Sequence, residues 1–182
     1  FFYEDNGKKY MFWGSFRGIY ATELTDNGLE IKKKTDGTPV LKKRICGNRF
    51  EGTNIYKRGE YYYLFASIGT CCNGATSTYQ TVVGRSKNVL GPYLDKTGRD
   101  MLYDYCEIIM SGNETWAGPG HNSILIQDDV GTDWIIYHGY KKKEAENGRY
   151  VLMDKLIWSN DGWPSVKSNA PSILEVAPYF QK

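Results

Sequence analysis

The stretch TNIYKRGEYYYLFAS, residues 53–67, decides the fold of this chain. An apolar approach leads to a polar turn at Lys57-Arg58-Gly59, and an aromatic run from Tyr61 to Ser67 follows the turn. Short runs rich in aromatic residues on both sides of a glycine turn are typical of a β-hairpin. The stretch therefore predicts two neighbouring strands joined by a tight turn.

The same order of parts recurs before and after this stretch. The first copy has its turn at Asp5-Asn6-Gly7 and its aromatic strand at residues 10–15. The third copy has its turn at residues 128–131 and its strand at residues 133–138. Meanders that recur in this way, with about four strands each, indicate the blades of a β-propeller. A β-sandwich with similar hairpins is the alternative, but repetition of the whole order of parts favours the propeller.

Composition supports an all-β protein and excludes some functions. The chain has 182 residues, enough for one domain with a core, and 15 of them are Tyr. No segment keeps a 3.6-residue period, so we expect helices to be minor. The formal net charge of +2 gives no reason to expect a nucleic-acid partner. No run of 18 apolar residues is present, so we expect no membrane span.

The four cysteines indicate neither a metal site nor a compartment. Cys46, Cys71, Cys72 and Cys106 form no CxxC pair, which argues against a thiolate zinc site. A disulfide between the adjacent Cys71 and Cys72 would strain the backbone. We therefore expect four small buried thiols.

Several motifs, taken in order along the chain, resemble glycoside hydrolase family 43 and its arabinanase branch. Each motif alone is weak, but together they run through almost the whole chain. They include Phe50-Glu51-Gly52, Cys71-Cys72-Asn73-Gly74, Val83-Gly84-Arg85-Ser86, Gly118-Pro119-Gly120-His121-Asn122-Ser123 and Asp161-Gly162-Trp163-Pro164.

The resemblance implies a five-bladed β-propeller of which this chain covers roughly the last three to four blades. Residues 1–182 would then be the C-terminal portion of a single catalytic domain, without its first blade and the start of its second. The family inverts the anomeric centre with an Asp base, an Asp that tunes the acid, and a Glu acid. Only the Glu has a counterpart here, Glu51, and the spacing of the repeat places the other two upstream of Phe1. We therefore expect the isolated chain to be incomplete and inactive.

The activity that the resemblance implies is hydrolysis of arabinose-containing plant cell-wall polysaccharide, of the arabinan endo-1,5-α-L-arabinosidase type. The alternatives are an α-L-arabinofuranosidase or a β-xylosidase of the same family, or a truncated or inactive carbohydrate-binding propeller. The Glu51 carboxyl favours an enzyme over a binding module. The family also implies a secreted, periplasmic or cell-surface protein.

Three residues are candidates for catalysis and sugar binding. The resemblance makes Glu51 the general acid, and its place between Phe50 and a glycine would shield it from water. Without the resemblance, Glu51 is an ordinary carboxylate at a strand end. Ser15 and Tyr79 match positions near the bound arabinose in the arabinanase branch, and hydroxyls can bond sugar hydroxyls. Alternatively, Ser15 only ends a strand and Tyr79 only packs between blades.

The two histidines have different expected roles. His138 lies in an apolar strand, where we expect a hydrogen-bonded core histidine. His121 follows Gly118-Pro119-Gly120 at the start of an inner strand. In the arabinanase branch the matching histidine reaches a central metal, usually calcium, whose other ligands are mostly water. The alternative is that His121 only hydrogen-bonds Asn122 or a backbone carbonyl.

Overall fold

The computed structural model describes residues 1–181, and β-strands dominate them. No α-helix lies in this part of the chain, and its helical turns are short 3-10 segments, so the prediction of an all-β protein is confirmed. The strands, numbered along the chain, are β1 (Phe2–Asp5), β2 (Lys8–Trp13), β3 (Ile19–Glu23), β4 (Lys43–Cys46), β5 (Glu51–Arg58), β6 (Tyr61–Ile68), β7 (Gln80–Ser86), β8 (Glu107–Met110), β9 (Trp116–Gly120), β10 (Ile126–Gln127), β11 (Asp133–Lys141), β12 (Arg149–Lys155), β13 (Ile157–Trp158) and β14 (Pro164–Ser165). The 3-10 segments are Gly74–Thr76, Met101–Tyr103, Lys142–Asn147 and Lys167–Asn169.

The strands form meander sheets, as the repeat predicts. Strands β1 to β4 pair in chain order in one sheet, and β5 to β8 pair in chain order in another. In a third sheet, β11 pairs with β12 along one edge and with β9 and β10 along the other. A short hairpin of β13 and β14 follows.

Glycine turns fix the register of the three repeated hairpins. Gly7, Gly59 and Gly131 have φ values of 76°, 58° and 81°, a region that side chains with a Cβ rarely adopt. Each of these glycines lies in the turn that precedes the aromatic strand of its repeat. The turn residues singled out in the sequence therefore have the backbone conformation that tight hairpins require.

The chain divides into two compact units, each with its own core. The first unit comprises Phe1–Leu64 and Gly84–Glu107, and the second comprises Phe65–Val83 and the described residues from Ile108 onward. Fully buried side chains of the first unit include Phe12, Phe50 and Met101, and those of the second include Phe65, Tyr79 and Trp134.

The inner strand of the third repeat differs from the prediction. A continuous strand was expected to begin near His121, but β9 ends at Gly120 and β10 begins only at Ile126. His121 has a φ of 51°, in the left-handed region that is uncommon for a residue other than glycine. The strand therefore breaks at His121.

The prediction of four buried thiols is wrong for two of the cysteines. Cys71 and Cys72 are joined by a disulfide between adjacent residues, in the loop between β6 and β7, and Cys72 is exposed. The other two cysteines are free thiols, Cys46 buried and Cys106 half-buried. Burial raises the pKa of the Cys106 thiol to about 11, so it stays protonated at neutral pH.

Among the residues that the structure describes, no helix has the length and apolar character needed to cross a membrane.

Candidate functional site

The four residues predicted from the sequence fall into two groups. Ser15 and Glu51 lie together in the first unit, and we call them the acid pair. Tyr79 and His121 lie together in the second unit, where His138 joins them. We call these three residues the histidine cluster.

A tight loop between β2 and β3 brings Ser15 to Glu51. Gly14 opens the loop with a φ of 128°, and a Cβ at this position would lie 2.1 Å from the carbonyl oxygen of Gly18. The backbone N–H of Phe16 donates to the carbonyl of Phe50 at 3.0 Å, which ties the loop to the residue before Glu51. Ser15 is thereby held beside the first residue of β5.

The side chains of the acid pair are directly hydrogen-bonded. The Ser15 hydroxyl donates to Oε2 of Glu51 at 2.8 Å. Phe50 is fully buried while Glu51 is only half-buried, so the carboxyl lies at the boundary between core and solvent. Gly52, with a φ of 64°, turns the chain directly after Glu51. The carboxyl group is therefore oriented by a neighbour and still reachable from solvent.

This geometry orients the carboxyl group of Glu51. Its Oε2 accepts a hydrogen bond from the Ser15 hydroxyl. A carboxyl group held in this way can, when protonated, donate a proton to a bound molecule. The Ser15 oxygen also keeps acceptor capacity for a ligand hydroxyl.

Tyr79 is the anchor of the histidine cluster. Its ring is fully buried and lies against the ring of His138, with centroids 5.8 Å apart and planes 19° apart. Its hydroxyl lies 3.4 Å from Nδ1 of His121. Because the whole residue is buried, hydroxyl included, Tyr79 contacts the two histidine rings and is not itself open to solvent.

Two glycines allow β9 to approach Tyr79. A Cβ at Gly120 would lie 2.4 Å from Cδ1 of Tyr79, and a Cβ at Gly118 would lie 2.6 Å from Cβ of Ser77. The Gly118-Pro119-Gly120 motif is therefore needed for close packing of backbone against side chain. The backbone N–H of His121 then donates to the Ser67 hydroxyl at 2.7 Å, which fixes the start of the strand break.

His138 contacts both other members of this cluster, which was not predicted from the sequence. His138 is half-buried, its ring stacks on His121 at 6.2 Å, and its Nε2 lies 3.3 Å from Nη1 of Arg149. A guanidinium group only donates, so Nε2 of His138 is the acceptor in this contact. The strand pairing brings the two histidines together, because it places His138 opposite Gly120 and therefore beside His121.

His121 is the residue best suited to hold a metal ion. Its Nδ1 faces Tyr79, so Nε2 of this exposed side chain is the nitrogen directed to a ligand. No group of three or more His, Cys, Asp or Glu side chains suited to a metal is found within residues 1–181. A cation here would need oxygen ligands besides the imidazole of His121, and water can supply them.

The chain matches a family profile over most of its length. The profile described as Glycosyl hydrolases family 43 matches residues 1–164. An extracellular exo-α-(1→5)-L-arabinofuranosidase of Cellvibrio japonicus is 36% identical over 173 residues, which cover 90% of this chain and 49% of that protein. An extracellular endo-α-(1→5)-L-arabinanase of Bacillus subtilis is 35% identical over 165 residues, 90% of this chain and 48% of that protein. The chain thus spans about half the length of these relatives.

Solved structures give the same result. The α-L-arabinanase of Cellvibrio cellulosa in complex with arabinohexaose superposes with a TM-score of 0.74 at 34% identity, covering 91% of this chain and 55% of that chain. An exo-1,5-α-L-arabinanase from a bovine ruminal metagenomic library superposes with a TM-score of 0.78 at 35% identity, with the same coverage of both chains.

The histidine cluster makes a prediction for NMR spectroscopy. Tyr79→Phe keeps the ring against His138 and removes the hydroxyl, so the ¹⁵N shift of Nδ1 in His121 should change. The His138 ring should carry its proton on Nδ1 in both proteins, because Arg149 still donates to Nε2. Long-range ¹H–¹⁵N spectra of the imidazoles measure both quantities.

The control is Tyr150→Phe, which removes a hydroxyl bonded to Glu144 in the same unit and should leave the His121 shift unchanged. An unchanged His121 shift in Tyr79→Phe, or a proton on Nε2 of His138, would contradict the assigned hydrogen bonds.

Proposed function

Since the chain belongs to Glycosyl hydrolases family 43, we propose that its protein hydrolyses α-1,5-linked L-arabinofuranosyl residues of plant polysaccharide, with Glu51 as the general acid. The observation that carries this proposal is the 2.8 Å hydrogen bond from Ser15 to Oε2 of Glu51 at the head of β5. The α-1,5 linkage is what the exo-acting and endo-acting relatives have in common by name, and it is the part of their specificity that the proposal adopts.

In the proposed reaction, the protonated carboxyl group of Glu51 donates its proton to the glycosidic oxygen as the bond to the sugar breaks. The Ser15 hydroxyl then stabilises the carboxylate that forms, because it already donates to Oε2. Inversion needs a second carboxyl about 6.5–9.5 Å away, with room for the attacking water. This base, and the aspartate that tunes the acid, would lie in parts of the protein outside residues 1–182. The four-stranded meanders would be blades of a five-bladed propeller.

Secretion is part of the proposal. Both named relatives are described as extracellular. The Cys71–Cys72 disulfide supports the same compartment, because disulfides persist in oxidising environments and are rare in the cytosol.

A single cation at His121 is also proposed, with calcium as the first candidate. The exposed imidazole presents Nε2, and Tyr79 fixes the orientation of the ring through Nδ1. Calcium prefers six to eight oxygen ligands, so water would supply most of the shell. Such an ion would supply positive charge that favours the ionised form of nearby carboxylates.

The role of Glu51 is tested by Glu51→Gln in the full-length enzyme. The amide cannot donate an acidic proton, so turnover of linear arabinan should fall by about 10²–10⁴-fold. Reducing-sugar release measures the turnover, and circular dichroism checks that the variant is folded.

The matched control is Glu60→Gln, which makes the same chemical change on an exposed carboxylate at the opposite end of β5. It should change turnover by less than about twofold, as is usual for surface substitutions. Turnover of Glu51→Gln close to that of the wild type would remove Glu51 from the mechanism.

Metal content tests the role of His121 independently of activity. The full-length enzyme, dialysed against metal-free buffer, should retain a cation in elemental analysis, and His121→Ala should lose it. His138→Phe keeps a stacked ring and should retain the ion, since it leaves Nε2 of His121 in place. A wild type without bound metal, or a His121→Ala protein with full metal content, would end this proposal.

A further inference from the structure

The first unit contains a pocket that the proposed reaction does not use. Its volume is about 530 Å³, within the range of small-molecule sites, which is about 300–1,000 Å³. Tyr61 at the start of β6, Arg85 and Lys87 at the end of β7, and Lys96 in the following loop line it.

The pocket lies at the far end of β5 from Glu51. Glu51 begins β5, and Tyr61 follows the two-residue turn after Arg58, where β5 ends. Strands β5 and β6 are neighbours, and a strand of eight residues is about 25 Å long. A sugar residue in contact with Glu51 therefore cannot fill this pocket.

The charge of the pocket is mainly positive. Three cationic side chains and one carboxylate, that of Asp95, are among the lining residues. The Asp95 side chain is fully buried and accepts hydrogen bonds from Thr97 and Arg99, including an ion pair of 2.8 Å with Nε of Arg99. Arg99 therefore balances the charge of Asp95, and cations outnumber carboxylates among the lining side chains.

One of these cations is held in a fixed position. The Arg85 guanidinium lies 4.5 Å from the ring centroid of Tyr61, a distance at which cation and ring attract each other. The ammonium of Lys87 lies 5.6 Å from the same centroid and forms an exposed ion pair with Glu60. An exposed pair contributes little stability, so Lys87 can exchange this partner for a ligand at low cost.

The walls also offer apolar surface. Pro92 and Leu94 line the pocket together with Tyr61. A sugar ring packs its C–H face on such surfaces, while a carboxylate is bound most strongly by a guanidinium or an ammonium group. The formal net charge of the whole chain is only +2, so a concentration of cations in one pocket is a local feature.

We propose that this pocket is a second carbohydrate site, which binds a uronate: a sugar ring that bears a carboxylate. Lys87 and Lys96, beside Arg85, would receive the carboxylate, and Tyr61 would contact the ring. The site would attach the protein to acidic polysaccharide while Glu51 remains available for a neutral chain. The binding itself does not require the proposed hydrolytic activity.

Calorimetric titration of the full-length protein tests the proposal, with trigalacturonate as the acidic probe and its methyl-esterified form as a neutral probe of equal length. Trigalacturonate should bind saturably, more weakly at high ionic strength, and the methyl ester should bind at least about tenfold more weakly. The variant Lys87→Gln/Lys96→Gln should weaken trigalacturonate binding by about tenfold or more, since each lysine loses a charge-assisted contact.

The matched control is Lys33→Gln/Lys34→Gln, which removes two exposed charges from a turn in the same unit and should change affinity by less than about twofold. Absence of saturable trigalacturonate binding, equal affinity for its methyl ester, or an equal loss in the control variant would overturn the proposal. Glu51→Gln should keep full trigalacturonate affinity, so failure of the hydrolytic mechanism would leave this result intact.

Discussion

The hairpin turn with a left-handed glycine is the constraint on which the rest of the structure depends. Gly7, Gly59 and Gly131 adopt positive φ in the three repeated hairpins, and this sets which residues of the paired strands lie opposite each other. A slip of one residue would move every side chain of a strand to the other face. Because each turn fixes the register at one end of its strand pair, the side chains at the other end are positioned as well.

The acid pair illustrates this arrangement. Glu51 is the first residue of β5, and the turn glycine Gly59 follows directly after the strand ends. Ser15 comes from a loop after β2, and the Phe16–Phe50 backbone bond holds that loop in place. Backbone features of two strands thus hold Ser15 beside Glu51, and the acid role proposed for Glu51 requires preorganisation of this kind.

The strands could be predicted from the sequence because aromatic runs and glycine turns are local signals. The break at His121 could not, since a positive φ at a histidine has no signature in composition or spacing. The stacking of His138 depends on its register opposite Gly120, which is a long-range property. The Cys71–Cys72 disulfide was not predicted, because a disulfide between adjacent residues was expected to strain the backbone.

The candidate site residues were assigned in a different way. Nothing in the local sequence separates Glu51 from other carboxylates at strand ends, and the catalytic role predicted for it rests on the ordered motifs around it. The sequence named Ser15 as a sugar contact, whereas the structure adds its hydrogen bond to Glu51, which depends on how the β2–β3 loop closes. Contacts of this kind join residues that are distant in the chain and cannot be obtained from spacing alone.

The most direct test of the account is a double-mutant cycle on Ser15 and Glu51 in the full-length enzyme, measured as kcat on linear arabinan. If Ser15 acts by orienting the acid, Ser15→Ala should lower kcat by about tenfold with little change in KM, and Ser15→Thr should restore part of the loss. In the Glu51→Gln background, Ser15→Ala should then have almost no further effect, because residues that act as a unit are not additive. Losses that simply multiply would contradict the claim that the Ser15–Glu51 hydrogen bond is the functional unit.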